Sequence, residues 1–169
     1  MISKAMVPVL TVGLAALALG LTGCSTGQST NASSGAPGGG SGQAASAAID
    51  VCSLVATSDA ASLTGKPFTQ ADTSTIATGQ DQCKYSDASG DSMTVIVYQG
   101  TSGVSWKMMT DVLSDSSTPT PVAGVGDQAM VGAIELDVQA GKYLIAVEGG
   151  MDIATSGPPL AKAIVAALG

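Results

Sequence analysis

Residues 49–169 predict an α+β domain: an antiparallel sheet of about five strands with helices packed mainly on one face. Three observations carry this. Gln82–Ser86 and Met93–Gln99 are strand-like runs joined by the turn-forming stretch Asp87–Asp91. Ile134–Val138 and Tyr143–Glu148 repeat the arrangement around Ala140-Gly141. Strands joined so closely must run antiparallel, and the amphipathic segments between and after them need a sheet to cover their apolar rows.

Taken in order, Asp50 is placed to cap a first turn holding Val51, Cys52, Leu54 and Val55. Thr57 or Ser58 then caps a second short helix through Leu63, with Gly65 where a left-handed residue ends it. Residues 67–80 lack periodicity and are expected as an irregular, extended connection. Met93-Thr94-Val95-Ile96-Val97-Tyr98 is apolar on nearly both faces, so this strand should be central. Ser102–Leu113 has helical spacing, with Val104, Met108 and Val112 in one row and Trp106, Met109 and Leu113 in the next. Thr118-Pro119-Thr120-Pro121 ends that helix. Gln128–Val131 begins the second set of strands, and Pro158 opens a final helix in which Leu160, Ile164 and Leu168 share a face.

Ahead of this domain the composition changes twice. Residues 1–23 have one charge, Lys4, then an apolar run from Val7 to Leu21, then Thr22-Gly23: the layout of a secretory signal peptide. Pro8 and the abrupt polar switch after Cys24 argue against a membrane-spanning helix. Leu21-Thr22-Gly23-Cys24 resembles the lipobox of bacterial lipoproteins. The resemblance implies a diacylglycerol thioether on Cys24, cleavage after Gly23 and acylation of the new amino terminus. Two or more acyl chains hold a protein stably at a membrane, whereas one binds only marginally. Residues 24–48 complete the tether, rich in Ser, Gly and Ala, with an r.m.s. reach of roughly 25–30 Å.

Composition excludes several functions. Thirteen acidic residues against six Lys, with no Arg, give a net charge of −7, which becomes −8 once Lys4 leaves with the signal. Such a chain lacks the basic footprint of a nucleic-acid binder. The absence of His removes the commonest general base and metal ligand, so neither cofactor nor metal is expected. Met93, Met108, Met109, Met130 and Met151 are scattered, as expected of core fillers rather than a soft-metal site.

The remaining candidates for chemistry are few. Cys52 and Cys83, the cysteines left beside Cys24, are expected to pair, since an exported domain favours disulfides; no CxxC spacing supports a redox thiol. Gly124-Val125-Gly126-Asp127-Gln128-Ala129 fits G-x-G-x-x-A formally but precedes a strand instead of a helix. It is expected as a glycine-rich lead-in to the sheet, with Asp127 bonding local amides. Asp87–Asp91 lacks the spacing and closing glutamate of a calcium loop and reads as a solvated hairpin tip. Glu135 and Asp137 alternate with Ile134, Leu136 and Val138, which places both on the polar face of a strand and makes them the best carboxylate pair, although a solvated sheet face explains them equally well. Tyr98, Trp106 and Tyr143 are the aromatics that could line a ligand pocket between sheet and helices.

Cys52-Ser53-Leu54, the helix ending at Gly65, Cys83-Lys84-Tyr85 and Val122–Ala129 recur, in that order, in the small Cys-pair lipoproteins of unknown function from actinobacteria, which this chain resembles over about 50–168. The resemblance implies a lipid-anchored α+β domain with a Mog1/PsbP-like fold, and no catalytic residue comes with it. Anchor, tether and side-chain inventory together predict a non-catalytic binding or interaction module on the extracytoplasmic face of the cell membrane, its partner an envelope protein or a small ligand. A carrier of small apolar ligands is the alternative, and a carboxylate-based envelope hydrolase the third reading. A carboxylate pair buried in a cleft would favour the hydrolase, a deep apolar cavity the carrier, and a filled core with a flat face the interaction module.

Overall fold

The computed structural model describes residues 47–169, all within one compact unit. The signal segment, Cys24 and almost all of the tether lie outside the described residues. The elements are α1 (Val51–Leu54), α2 (Thr57–Thr64), β1 (Gln70–Ala77), β2 (Gln80–Ser86), β3 (Ser92–Tyr98), α3 (Trp106–Ser116), β4 (Thr120–Pro121), β5 (Gln128–Val131), β6 (Glu135–Ala140), β7 (Tyr143–Glu148) and α4 (Ile153–Leu168). No helix among the described residues is long and apolar enough to cross a membrane.

The sheet has seven antiparallel strands, in the order β1-β2-β3-β7-β6-β5-β4. Two meanders, β1–β3 and β4–β7, meet along β3 and β7, and α3 makes the connection between them. The expectation of about five strands was short by two edge strands. Residues 67–80 contain β1, which pairs with β2 from Gln70 to Ala77 and exposes all but Ala71. With neither face buried it shows no apolar alternation, and its ladder with β2 holds it in place. β4 is two residues long and ends on Pro121, a residue tolerated at a sheet edge.

Strand alternation gives the sheet two unlike faces. One carries Cys83, Tyr85, Met93, Val95, Val97, Leu136, Val138, Ile145 and Val147, and packs against α1, α2 and α4 through Val51, Ala60, Leu160 and Ile164. Cys52 on α1 is bonded to Cys83 on β2, with Cα atoms 5.0 Å apart. The expected pairing is present. Tyr85 is fully buried on this face and its hydroxyl donates to the Val55 carbonyl at 2.8 Å. The other face carries Ile96 and Ala146, on which Met109 of α3 packs, with Tyr98, Val104 and Leu144 around them. β3 is buried on both faces, as its sequence predicts.

Local details differ from expectation for clear reasons. Asp50 makes no side-chain cap; its carboxylate instead accepts from the Thr73 hydroxyl across to β1. Ala56, not Thr57 or Ser58, precedes α2, and its carbonyl takes the Asp59 and Ala60 amides. Gly65 ends α2 at φ +71°, as predicted. The last helix starts at Ile153, five residues before Pro158. The two prolines inside it free the carbonyls of Ala154 and Thr155, which solvent can satisfy because both residues are exposed. Gly126 has φ +58°, and a Cβ there would overlap the Gln139 carbonyl, so glycine lets the lead-in to β5 touch β6.

A candidate ligand cleft beneath the crossover helix

The face covered by α3 has an unusual polar content. On β6, Glu135, Asp137 and Gln139 point to it, while Leu136, Val138 and Ala140 enter the main core. Register then fixes the neighbours. Glu148 of β7 lies directly opposite Glu135, and Ala146 opposite Asp137. On the far side of β7, Thr94 faces Glu148, Ile96 faces Ala146 and Tyr98 faces Leu144. Three carboxyl groups therefore share one corner of the sheet, two of them as a like-charged cross-strand pair, an arrangement that destabilises when both are ionised.

Asp137 is the centre of this corner. Its exposure is 0%, and no N–H or hydroxyl among the described residues donates to its oxygens; the Glu135 carboxyl is the hydrogen-bonding neighbour. The expectation of a solvated strand face is corrected here, because α3 and its apolar contacts close over the position. Burial first, then Glu135 and Glu148, pushes its pKa up to about 8. Burial and Glu148 raise Glu135 as well. Tyr98 is raised by burial and by all three carboxyls, beginning with Glu148. At neutral pH Asp137 holds a proton, which Glu135 beside it is placed to share.

Two hollows meet at Glu135. One, of about 210 Å³, runs under α3 and is walled by Tyr98, Val104, Met108, Met109 and Val112. The other, about 460 Å³, is open and polar, between Ser92, Thr94, Ile134, Glu148 and Gly149. α3 is set over the first by its cap, the Ser105 hydroxyl accepting from the Met108 amide at 3.3 Å. Of its two predicted rows, Met109 and Leu113 are buried, whereas Met108 and Val112 remain 53% and 62% exposed. Those exposed residues form the outer lip of the cleft. Met108 and Met151 are exposed, so not every methionine is the core filler that the sequence predicts.

The predicted aromatic pocket is not brought together. Tyr98 lines the α3 cleft, and Trp106 sits half-buried at the start of α3 without lining it. Tyr143 is on the opposite face, beside Gly126, Asp127, Lys142, Val165 and Leu168 in a separate open hollow of about 500 Å³. Asp127 reaches further than expected, accepting from the Gly141 amide at 2.7 Å and so pinning the β6–β7 turn. The Asp87 carboxylate is occupied by the Ser89 amide and hydroxyl and the Asp91 amide. No group of acidic or cysteine side chains among the described residues is disposed to hold a metal ion. No protein-family model, curated protein or solved structure matches the chain.

Proposed function

We propose that this protein is a lipid-anchored binding module of the cell envelope, tethered through Cys24, with the cleft beneath α3 as its ligand site. The observation that supports it is the cleft itself, an apolar trough open to solvent along Met108 and Val112 that ends on Glu135. A small volume lined by apolar groups with one polar end suits recognition of a small ligand, so a carrier of small apolar ligands is the favoured form of this reading. The tether on residues 24–48 would let the domain meet such ligands at any orientation to the membrane. The fold expectation belongs to the same proposal: an antiparallel sheet with three helices on one face is the observation that supports a Mog1/PsbP-like fold.

A carboxylate-based hydrolase is the second reading, and the raised pKa of Asp137 favours it. Against it, both Asp137 oxygens are sealed from solvent, and a general acid must come within hydrogen-bond reach of its substrate.

The test is titration of the full chain with the neutral dye Nile red. Saturable, blue-shifted emission that is lost in Val104→Trp and Met109→Trp supports the cleft. Emission unchanged by both substitutions would defeat it. Hydrolysis of cell-wall glycan or peptide that disappears in Asp137→Asn would instead establish the enzyme. For the anchor, an intact protein beginning at Met1 with an unmodified Cys24 in mass spectrometry would overturn the lipidation.

A further inference from the structure

We propose that the open edge of β1 docks β1 of a second copy of this chain, the two strands running antiparallel about a two-fold axis at Thr73. This surface is separate from the α3 cleft and its ligand. The two edges of the sheet are unlike. β4 is two residues long and stops at Pro121, so it offers a neighbour almost no ladder. β1 is eight residues long, pairs with β2 along one side only, and contains neither proline nor lysine. Its register with β2 is regular from Gln70 to Thr75 and shifts between Thr75 and Ala77. Sheet edges are normally blunted by charges, prolines or bulges, and over Gln70–Thr75 the only such device is Asp72. An added strand would complete the ladder that β1 leaves open, with main-chain bonds supplying the attraction.

Three features point to a second copy as the occupant. The first is register. A two-fold axis perpendicular to a continuous sheet keeps every residue on its own face, so an axis at Thr73 sets Asp72 opposite Ser74 of the second copy. An axis at Asp72 would set two carboxylates face to face, and one at Ser74 would bring the irregular Ile76 into the ladder. The second feature is complementarity. Within each copy Lys84 and Gln82 stand opposite Asp72 and Ser74, so the row across the axis runs Lys84, Asp72, Ser74, Gln82 with no like charges adjacent. Ser74 Oγ accepts from the Gln82 side-chain amide at 2.7 Å, which leaves its hydrogen to donate to Asp72 of the second copy. Symmetry forms this contact twice. The third feature is where the chain enters. Ile49 packs on the helix-covered face, and the Gln99 side-chain amide holds the Ala47 carbonyl beside it. The axis keeps that face of both copies on one side, which suits two chains anchored in one membrane. A single strand pair falls in the weak class of interface, under about 1,200 Å². Confinement of anchored copies to a membrane would offset this by raising their effective concentration.

The experiment is sedimentation equilibrium of the full chain in density-matched detergent, with wild type compared against charge variants of this row. A reversible monomer–dimer equilibrium is expected. Ser74→Asp sets carboxylates opposite one another on both sides of the axis and should weaken the dimer about tenfold. Ser74→Lys creates two Asp–Lys pairs instead and should tighten it. Asp72→Lys combined with Ser74→Asp exchanges the charges and should restore association. Both positions are exposed, so none of these variants disturbs the core. A chain that stays monomeric even as Ser74→Lys overturns the inference, and so does a dimer indifferent to all three variants. In cells, benzoyl-phenylalanine in place of Gln70 should capture a second copy on illumination. Capture of a different protein alone would give the edge to that protein and overturn the inference. Nile red binding should be equal in wild type and Ser74→Asp, so failure of the dimer and failure of the cleft are read separately.

Discussion

Two aspartates are sealed in this molecule, and they differ in everything except burial. Asp81, on the face covered by α1, α2 and α4, is 1% exposed and accepts from the Ile49 amide, the Thr75 hydroxyl and the Gln99 side-chain amide. Asp137, on the face covered by α3, is 0% exposed, receives no N–H or hydroxyl donor, and has the Glu135 carboxyl beside it. The first binds the start of the domain to β1 and to the end of β3 through those three donors. The second has only other carboxyls for company. A buried carboxyl group met by three donors is a structural joint, whereas one met only by other carboxyl groups is driven to keep its proton. That contrast separates a face joined by a disulfide and donor-filled polar groups from a face whose buried carboxyl groups repel one another.

The largest effect should come from the cohesive face. Replacing Cys52 and Cys83 by Ala removes a crosslink spanning 31 residues and should cost about 3–4 kcal/mol by chain entropy, read by urea unfolding. If the α3 cleft is independent of that face, ligand binding in the folded fraction should be unchanged; a parallel loss of binding would break the comparison. Next, Asp81→Ala strands three donors and should destabilise by about 3 kcal/mol. An effect below about 0.5 kcal/mol, the range of ordinary surface changes, would mean that Asp81 is not a joint.

The smallest effect is the most informative. Asp137 keeps its proton in the folded chain up to about pH 8, while the unfolded chain loses it near the ordinary value of 3.8. The folded state therefore binds more protons across that window, and its stability falls as pH rises through it. The contribution is whole below about pH 4 and gone above about pH 8. Asp137→Asn should flatten this dependence and stabilise by about 2 kcal/mol at pH 8, below the ceiling of about 1.4 kcal/mol per pH unit because buried sites relax. Thermal unfolding at pH 5 and pH 8 checks it; a variant with the wild-type slope would place the titration elsewhere.

Much of the cohesive face was legible in the sequence. The two hairpins, the double-sided apolar run of β3, Gly65 and the cysteine pair all follow from local pattern or residue chemistry. β1 was not legible because a strand exposed on both faces has no period to read, and the first turn of α4 was hidden behind Pro158 and Pro159. The candidate site was half legible. Alternation along β6 put Glu135 and Asp137 on one side, but their burial depends on α3 crossing to that side, a tertiary event that no local window contains. The separation of Tyr98 from Tyr143 depends likewise on strand register.

The path of the chain into the domain also determines where a mechanical load goes. Force applied through the N-terminal segment meets the Ala47 carbonyl, held by the Gln99 side-chain amide, then Ile49, whose amide is held by Asp81, and three residues later the covalent bond from Cys52 to Cys83. Beyond that bond a pull is carried by β2, hydrogen-bonded on both sides to β1 and β3, so it cannot peel α1 and α2 away one residue at a time.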